Sequence, residues 1–380
     1  MNLIFSVEAI RFPLTGIGRY AWELAHHLSL QADVDSLLYF TGTDFIKDLP
    51  TAGEQSNQQH KLRRLLQKSR VVNKVYRLLM PRVKKQVLKG KEDYLYHGPN
   101  FFVPPFAGKK IATFHDLSPF TWPECHPPQR VEHAQKEAPK TLETADALIV
   151  DAEYIRQELA SYFSYPLEKI FTVPLAASDE FRPYSESETL PILAHYGLQH
   201  NQYTFFAGTI EPRKNIMTLM DAYEQLPQAL RQRVPLVLSG YEGWCSEAIH
   251  QRIDQANRSG WLKYLGFTPA EHLSALYAGA RLFAFPSLYE GFGLPILEAM
   301  SSGVPVICSN SSTLPEVAGD AALMAAPLDV DAWTQLLHQG LIDDEWRKNA
   351  IVRGHLRATQ FSWARCAAQT MAVYKAVNAR

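Results

Sequence analysis

No apolar run in this chain approaches the roughly 20 residues that a helix needs to cross a bilayer, so nothing in it reads as a membrane span. Cysteine is scarce: Cys125, Cys245, Cys308 and Cys366 lie far apart, with no CxxC pair. That spacing excludes a disulfide framework or a zinc site and reads as buried thiols in a reducing compartment. The opening MNLIFSVEAIRF has no basic stretch ahead of its apolar residues. It reads as a first β-strand, not a signal peptide, and the expected location is the cytoplasm. Short-period repeats and low-complexity tracts are missing too. No GxGxxG follows a predicted strand, which disfavours a dinucleotide oxidoreductase.

Acid is also absent from one stretch. Between Lys61 and Lys91 there are twelve Lys and Arg and no Asp or Glu, which leaves 26 basic against 39 acidic residues in the rest of the chain. Apolar residues recur there at Leu62, Leu65, Leu66, Val72, Val75, Tyr76, Leu79 and Val83, a helical period, and Pro81 should break or kink the helix. A basic amphipathic segment with Lys61, Arg63, Arg64, Lys68, Arg70, Lys74 and Arg77 opposite an apolar face suits an anionic membrane surface. The bland alternative is a domain helix with a solvated basic face. Nucleic acid is disfavoured, because the rest of the chain is acidic and carries no reading motif.

What is present is the composition of a soluble globular protein, 46% hydrophobic and 20% charged over 380 residues, long enough for two domains with filled cores. Apolar runs alternate with amphipathic stretches, the pattern of βα units. Strands are expected at Leu3–Val7, Ser36–Phe40, Tyr94–Tyr96, Lys110–Phe114, Ala147–Val150 and Ile170–Val173. Helices should follow Gly18 and Asp151, the latter placed to cap Glu153–Phe163. FRPYSESETLP, Phe181–Pro191, reads as a linker. Beyond it come strands Tyr203–Ala207, Leu236–Ser239, Leu262–Leu265, Arg281–Phe285 and Pro305–Ser309, with helices from about Asn215 and at Pro269–Tyr277 and Leu294–Met300. Two doubly wound α/β domains facing across a cleft result, with ligands beyond the C-terminal strand ends.

Four loops there could hold an anionic ligand. In LTGIGRY, Gly16 and Gly18 precede a helix whose N-terminus favours negative charge, although a tight turn explains them equally well. In TFHDLSPF, His115 and Asp116 end a central strand. In AGTIEPRKN, Arg213 and Lys214 follow Gly208 at a strand-to-helix turn. A planar fork beside a compact ammonium suits a diphosphate, against the alternative of a solvated pair. In SLYEGFGLPILEAM, a Gly-rich loop precedes a helix with Pro295 in its first turn, so the amides of Gly291, Phe292, Gly293 and Leu294 would face an anion. Glu298, one turn in, could accept two hydroxyl protons from a ribose diol. Glu290 and Glu298 are eight residues apart. On a helix that is about 12 Å, beyond the roughly 5–9.5 Å of a glycoside hydrolase pair. Two binding roles are expected instead. Asp33–Asp35 and Asp329–Asp331 spell DVD, but neither follows a core strand near these loops, and both read as solvated turns.

Taken together, TGIGRY, YHGPNFFVPP, ATFHDLSPFTWPECHP, FAGTIEPRKN, LSGYEGW, the E-x7-E stretch and SNSSTLPEVAGDAAL resemble the GT4 family of retaining glycosyltransferases over nearly the whole chain. The chain looks closest to the mannosyltransferase-like members that build bacterial surface polysaccharides and O-antigens. That resemblance implies a GT-B fold: an acceptor-binding domain over 1–182 with the basic insert 61–91, a nucleotide-sugar domain over 190–360, and a C-terminal helix over 361–380 returning to the first domain. It implies catalytic roles for Arg213, Lys214, Glu290 and His115. Gly16, Gly18, Gly208, Glu290, Gly291, Phe292, Gly293, Leu294 and Glu298 would bind the donor, with Glu290 on the sugar hydroxyls and Glu298 on the ribose. Asp116 would meet the acceptor. Ser311, Ser312 and Thr313 lie near the site without individual roles. Two matches are loose: Val150 stands where the family more often has Ser, and PLAAS follows Val173 where many members carry Asn-Gly. No metal or other cofactor is required, because two fixed cations take the place of one. The implied reaction moves a mannose- or rhamnose-like hexose from a GDP-linked donor to a lipid-linked or oligosaccharide acceptor, at the inner face of the cytoplasmic membrane if the basic segment binds it. An epimerase on the same fold and a non-catalytic glycan-binding homologue are the alternatives.

Overall fold

The computed structural model describes residues 1–14, 16–51 and 70–379, and the side chains of 70–78 are outside the description. The first sheet contains β1 (Asn2–Ser6), β2 (Ser36–Phe40), β3 (Phe45–Ile46), β4 (Leu95–Gly98), β5 (Lys110–Phe114), β6 (Ala147–Val150) and β7 (Ile170–Thr172). Their spatial order is β3-β2-β1-β4-β5-β6-β7, parallel except for the short edge pair β2–β3. The second holds β8 (Thr204–Ala207), β9 (Leu236–Ser239), β10 (Leu262–Tyr264), β11 (Leu282–Phe285), β12 (Val306–Ser309) and β13 (Ala322–Ala325) in the order β10-β9-β8-β11-β12-β13. Every pairing in it is parallel. Central strands such as ALIV, LFAF and VICS are buried on both faces, as crossover helices require.

The strand order reverses between β1 and β4 in one sheet and between β8 and β11 in the other. Loops leaving β8 and β11 therefore diverge from adjacent strand ends, the place where doubly wound sheets open a crevice. The final helix, Trp363–Asn378, lies on helix Gly16–Ser29 of the first domain. Its Tyr374 hydroxyl sits 2.6 Å from His97 Nδ1, and Trp363 meets the ring of Tyr20.

Several expectations need correction. Phe181–Pro191 is not a linker: helix Glu186–His195 starts within it, and Ser185 and Glu188 form a reciprocal capping box. S-x-x-E is the start signal that the polar composition and Pro191 obscured. Pro81 does not break the helix: Arg70–Val87 is one helix with Pro81 inside it. Asp151 does not cap helix Glu153–Phe163; Ala152 is the N-cap residue, and Asp151 turns inward to a histidine. Cys245 is exposed, unlike the other three cysteines, because it lies on the loop after β9 and reaches across to the first domain at Glu124. The edge strands β3 and β13 were not expected; both are mostly half-buried.

Candidate active site

The loop after β8 is a 3-10 turn, Pro212–Lys214, closed by Asn215 in the left-handed region at φ 54°. Asn215 holds that conformation by donating to the carbonyl of Pro286 at 3.1 Å, beyond β11. Arg213 and Lys214 are thereby aimed at Glu290, 76 residues away from Lys214 in sequence: Lys214 Nζ lies 2.5 Å from Glu290 Oε1, and Arg213 Nη1 lies 3.5 Å from Oε2. Arg213 also donates to Glu211 Oε1 and to the Tyr289 carbonyl, each at 2.6 Å. Ser287 Oγ donates to Glu290 Oε1 at 2.6 Å.

Glu211, Lys214 and Glu290 are buried, and Arg213 is largely covered. Burial works against the Glu290 carboxylate, but Lys214 and Arg213 overcome it and hold the group below its ordinary range. The Lys214 ammonium is pulled down by burial, and the neighbouring guanidinium adds to this against the pull of Glu290. Burial also opposes the Arg213 charge, which Glu290 and Glu211 more than restore.

The donor-side loop is fastened from behind. Ser312 Oγ accepts from the Glu290 amide at 2.9 Å, and Thr313 Oγ1 donates to the carbonyls of Glu290 and Phe292 at 3.1 and 2.8 Å. Ser311 donates to the Leu288 carbonyl at 2.6 Å, so the three unassigned hydroxyls act together as a buttress. Among the described residues none accepts from the amides of Gly291, Phe292 or Gly293, which lead into helix Leu294–Ser301. Gly293 takes φ 112°, which only glycine adopts without strain. Glu290 thus lies in the loop ahead of the helix, and only Glu298 is on the helix.

Glu298 is partly buried beneath the first domain. Burial pushes its carboxyl up to about 7, with the Tyr277 hydroxyl and Arg19 acting the other way. Arg19, which the motif reading left without a role, donates to Ser178 at 2.9 Å and pairs with Glu180 at 2.8 Å. It stands directly after Gly18 in helix Gly16–Ser29, so the TGIGRY turn meets the site through its arginine. On the expectation that Glu298 clamps a ribose diol, which requires its charged form, nucleotide affinity should rise with pH through about 7, by about tenfold from pH 6 to 8. The folded state holds this proton more tightly than the unfolded chain does. Stability of the ligand-free protein therefore falls as pH rises from 4.5 to about 7. Calorimetric titration with nucleoside diphosphate checks this. A Glu298→Gln profile as steep as that of the wild type would refute it, since the ligand's own ionisation would then be the cause.

On the facing side, both ring nitrogens of His115 are occupied: Nδ1 lies 2.7 Å from Asp151 Oδ2 and Nε2 lies 2.9 Å from the Pro99 carbonyl. Burial opposes the charge, but Asp151 and the carbonyl prevail and raise the imidazole above its ordinary value. Asp116 Oδ1 accepts from the Ser118 amide and hydroxyl at 3.1 and 2.9 Å. The two domains meet where Gly291 passes His115, and where Tyr289 accepts from the Leu117 amide at 2.9 Å and donates to Glu158 at 2.5 Å. Gly208 directly follows β8 and donates to the Ser239 carbonyl at 2.9 Å.

The structure thus gathers Arg213, Lys214, Glu290 and the Gly291–Leu294 loop, and brings His115 and Asp116 against them. It leaves Lys61, Arg63, Arg64 and Lys68 outside the described residues, as it does the side chains of Arg70, Lys74 and Arg77. Nearby, Lys84 pairs with Glu8 at 2.6 Å, while Leu79 and Val83 are exposed. No helix among the described residues is long and apolar enough to cross a membrane. Three of the four DVD carboxylates are engaged: Asp35 holds the N-terminal amine, Asp33 holds Lys375, and Asp329 caps helix Val330–Ile342. Glu211, Tyr289, Asp151 and Arg19 are the site residues missed from sequence. Glu211, two residues ahead of Arg213, Tyr289, next to Glu290, and Arg19, next to Gly18, had positional clues; Asp151 had none.

Two doubly wound domains, with a cation–carboxylate cluster and open loop amides at a switch point, make the GT-B architecture of glycosyltransferases. Residues 196–357 match the family model of the group 1 glycosyl transferases. Over 379 residues the chain is 45% identical to O-antigen chain mannosyltransferase B of Escherichia coli, covering 99% of this chain and 100% of that one. It is 33% identical over 268 residues to the serotype-specific mannosyltransferase WbdA of Escherichia coli, covering 68% of this chain and 32% of that longer one. Among solved structures, Anabaena Alr3699/HepE in complex with UDP and glucose superposes with a TM-score of 0.71 at 17% identity, covering 99% of each chain. Sucrose-phosphate synthase from Thermosynechococcus elongatus gives 0.71 at 20% identity over the full length of both. The chain belongs to the group 1 glycosyltransferases.

Proposed function

We propose that this glycosyltransferase moves mannose from GDP-mannose, with retention of configuration, onto a sugar hydroxyl of a lipid-linked or oligosaccharide acceptor in O-antigen assembly. One observation carries the reading: two largely buried cations and a row of open amides converge where the loops of β8 and β11 part. Cleavage of the anomeric C–O bond leaves negative charge on the departing phosphate and an oxocarbenium-like sugar. Arg213, Lys214 and the amides of Gly291–Gly293 would stabilise that anion electrostatically, with little reorganisation at the moment of reaction. Glu290, already fixed by Lys214 and Ser287, would present its remaining lone pairs to the sugar hydroxyls. Glu298 would clamp the ribose. The acceptor oxygen would attack from the face the leaving phosphate occupies and pass its proton to that phosphate, so no side chain is needed as base. His115, held by Asp151 and Pro99, would line the sugar side, and Asp116 would offer its free oxygen to the acceptor.

The test is transfer from GDP-mannose to mannose-terminated oligosaccharides, with the anomer assigned by NMR. An α-linked product from the α-configured donor is expected. Turnover of UDP-glucose in preference, or an inverted product, would overturn the reading, and conversion of donor without acceptor would favour an epimerase.

Residues 61–91 would place the enzyme on anionic membrane where a lipid-linked acceptor lies. Their charge pattern and the exposed Leu79 and Val83 support this. Co-sedimentation with anionic liposomes at low salt should exceed that with neutral ones; equal binding removes the proposal.

A further inference from the structure

Glu316 lies on the short helix Leu314–Ala318 of the second domain, directly after the hydroxyl buttress. Its two carboxylate oxygens accept from backbone amides of the first domain, Glu153 at 2.8 Å and Tyr154 at 3.1 Å. Those are the opening amides of the eleven-residue helix Glu153–Phe163, whose own N-cap residue, Ala152, has no side-chain acceptor. A helix that begins without a cap leaves donors unmatched and presents the positive end of its dipole. Here the missing cap is supplied across the cleft.

Both ends of this contact lead to the reacting centre. Three residues before Glu316, Thr313 binds the carbonyls of Glu290 and Phe292. Two residues before Glu153, Asp151 binds His115, whose carbonyl faces Gly291. One carboxylate thus links the strand-end turn that shapes the donor loop to the strand-end turn that fixes the histidine. Resting on the transfer reading above, we propose that Glu316 is a positioning residue. By capping helix Glu153–Phe163 in trans, it sets the register of the two domains in the closed, reacting state. When the domains part, water replaces the carboxylate at those amides, so the contact favours closure without locking it.

The experiment compares wild type, Glu316→Ala and Glu316→Gln for kcat, donor KM, nucleoside diphosphate affinity and thermal stability. Glu316 is exposed at the helix surface, so its removal leaves no buried hole. Glu316→Ala should lower kcat roughly tenfold, in line with loss of a helix cap. Nucleotide affinity should stay near wild type, because no nucleotide contact is removed, and Tm should fall by no more than a few degrees, the scale of one exposed cap. Glu316→Gln keeps one acceptor and should recover part of the rate. Ala152→Ser, which offers a cap from within the first domain, should also lower kcat while Tm is held or raised. Unchanged kcat in Glu316→Ala, or loss of kcat only together with nucleotide affinity and Tm, would overturn the proposal. Absence of sugar transfer by the wild-type protein, with nucleotide still bound, would instead sink the transfer reading itself.

Discussion

Lys214→Ala is expected to lower kcat/KM by about 10²-fold or more, the scale of losing one preorganised donor at a developing anion. The ammonium is buried and reaches Glu290 Oε1 at 2.5 Å. Its removal has two effects that add. The departing diphosphate loses a fixed positive charge, and Glu290 remains as a buried carboxylate held only by Arg213 at 3.5 Å and the Ser287 hydroxyl. That carboxylate would then repel the phosphate. Breaking a buried pair from one side costs about 3–5 kcal/mol in stability, so Tm should fall as well. Lys214→Met with Glu290→Gln removes the stranded charge and should recover Tm but not rate. Initial rates and melting curves of the two variants beside wild type decide the matter. Near-normal transfer by Lys214→Ala would remove the phosphate role.

Gly291→Ala should be as damaging for a different reason. A Cβ at that position would stand 2.0 Å from the His115 carbonyl oxygen and 3.0 Å from Asp116 Cβ. The obstacle is backbone of the other domain, anchored in β5, so no side chain can swing aside. The donor loop would have to withdraw from the first domain. Displacement of reacting groups by about 1 Å can cost 10²-fold in rate. Each domain's own core is untouched, so Tm and nucleotide binding should stay near wild type while transfer falls by about 10²-fold or more. A variant retaining more than a tenth of wild-type activity would show that the cleft does not close this tightly during turnover.

Much of the strand framework was readable from sequence because each central strand is a short apolar run bounded by polar turns. Ser36–Phe40, Lys110–Phe114, Ala147–Val150 and Leu236–Ser239 occupy the expected residues. Edge elements such as Phe45–Ile46 and Ala322–Ala325 were not, since half-exposed strands lack that contrast. Helix Glu186–His195 was hidden because Pro191 and a polar run outweighed a capping signal of two residues. The loops at the site were legible for a related reason: glycine, proline and charge cluster where β8 and β11 end.

The sequence alone determined that two doubly wound domains would form and which strand ends would carry charge, because those features are written in contiguous residues. It could not determine that Lys214 would spend its charge on Glu290, or that Asp151 would face His115 instead of capping its own helix. Nor could it pair Glu316 with a helix start 163 residues away. Those contacts depend on which strand ends become neighbours and on two domains meeting. Strand order and domain closure are set by the packing of the whole chain, and no local stretch encodes them.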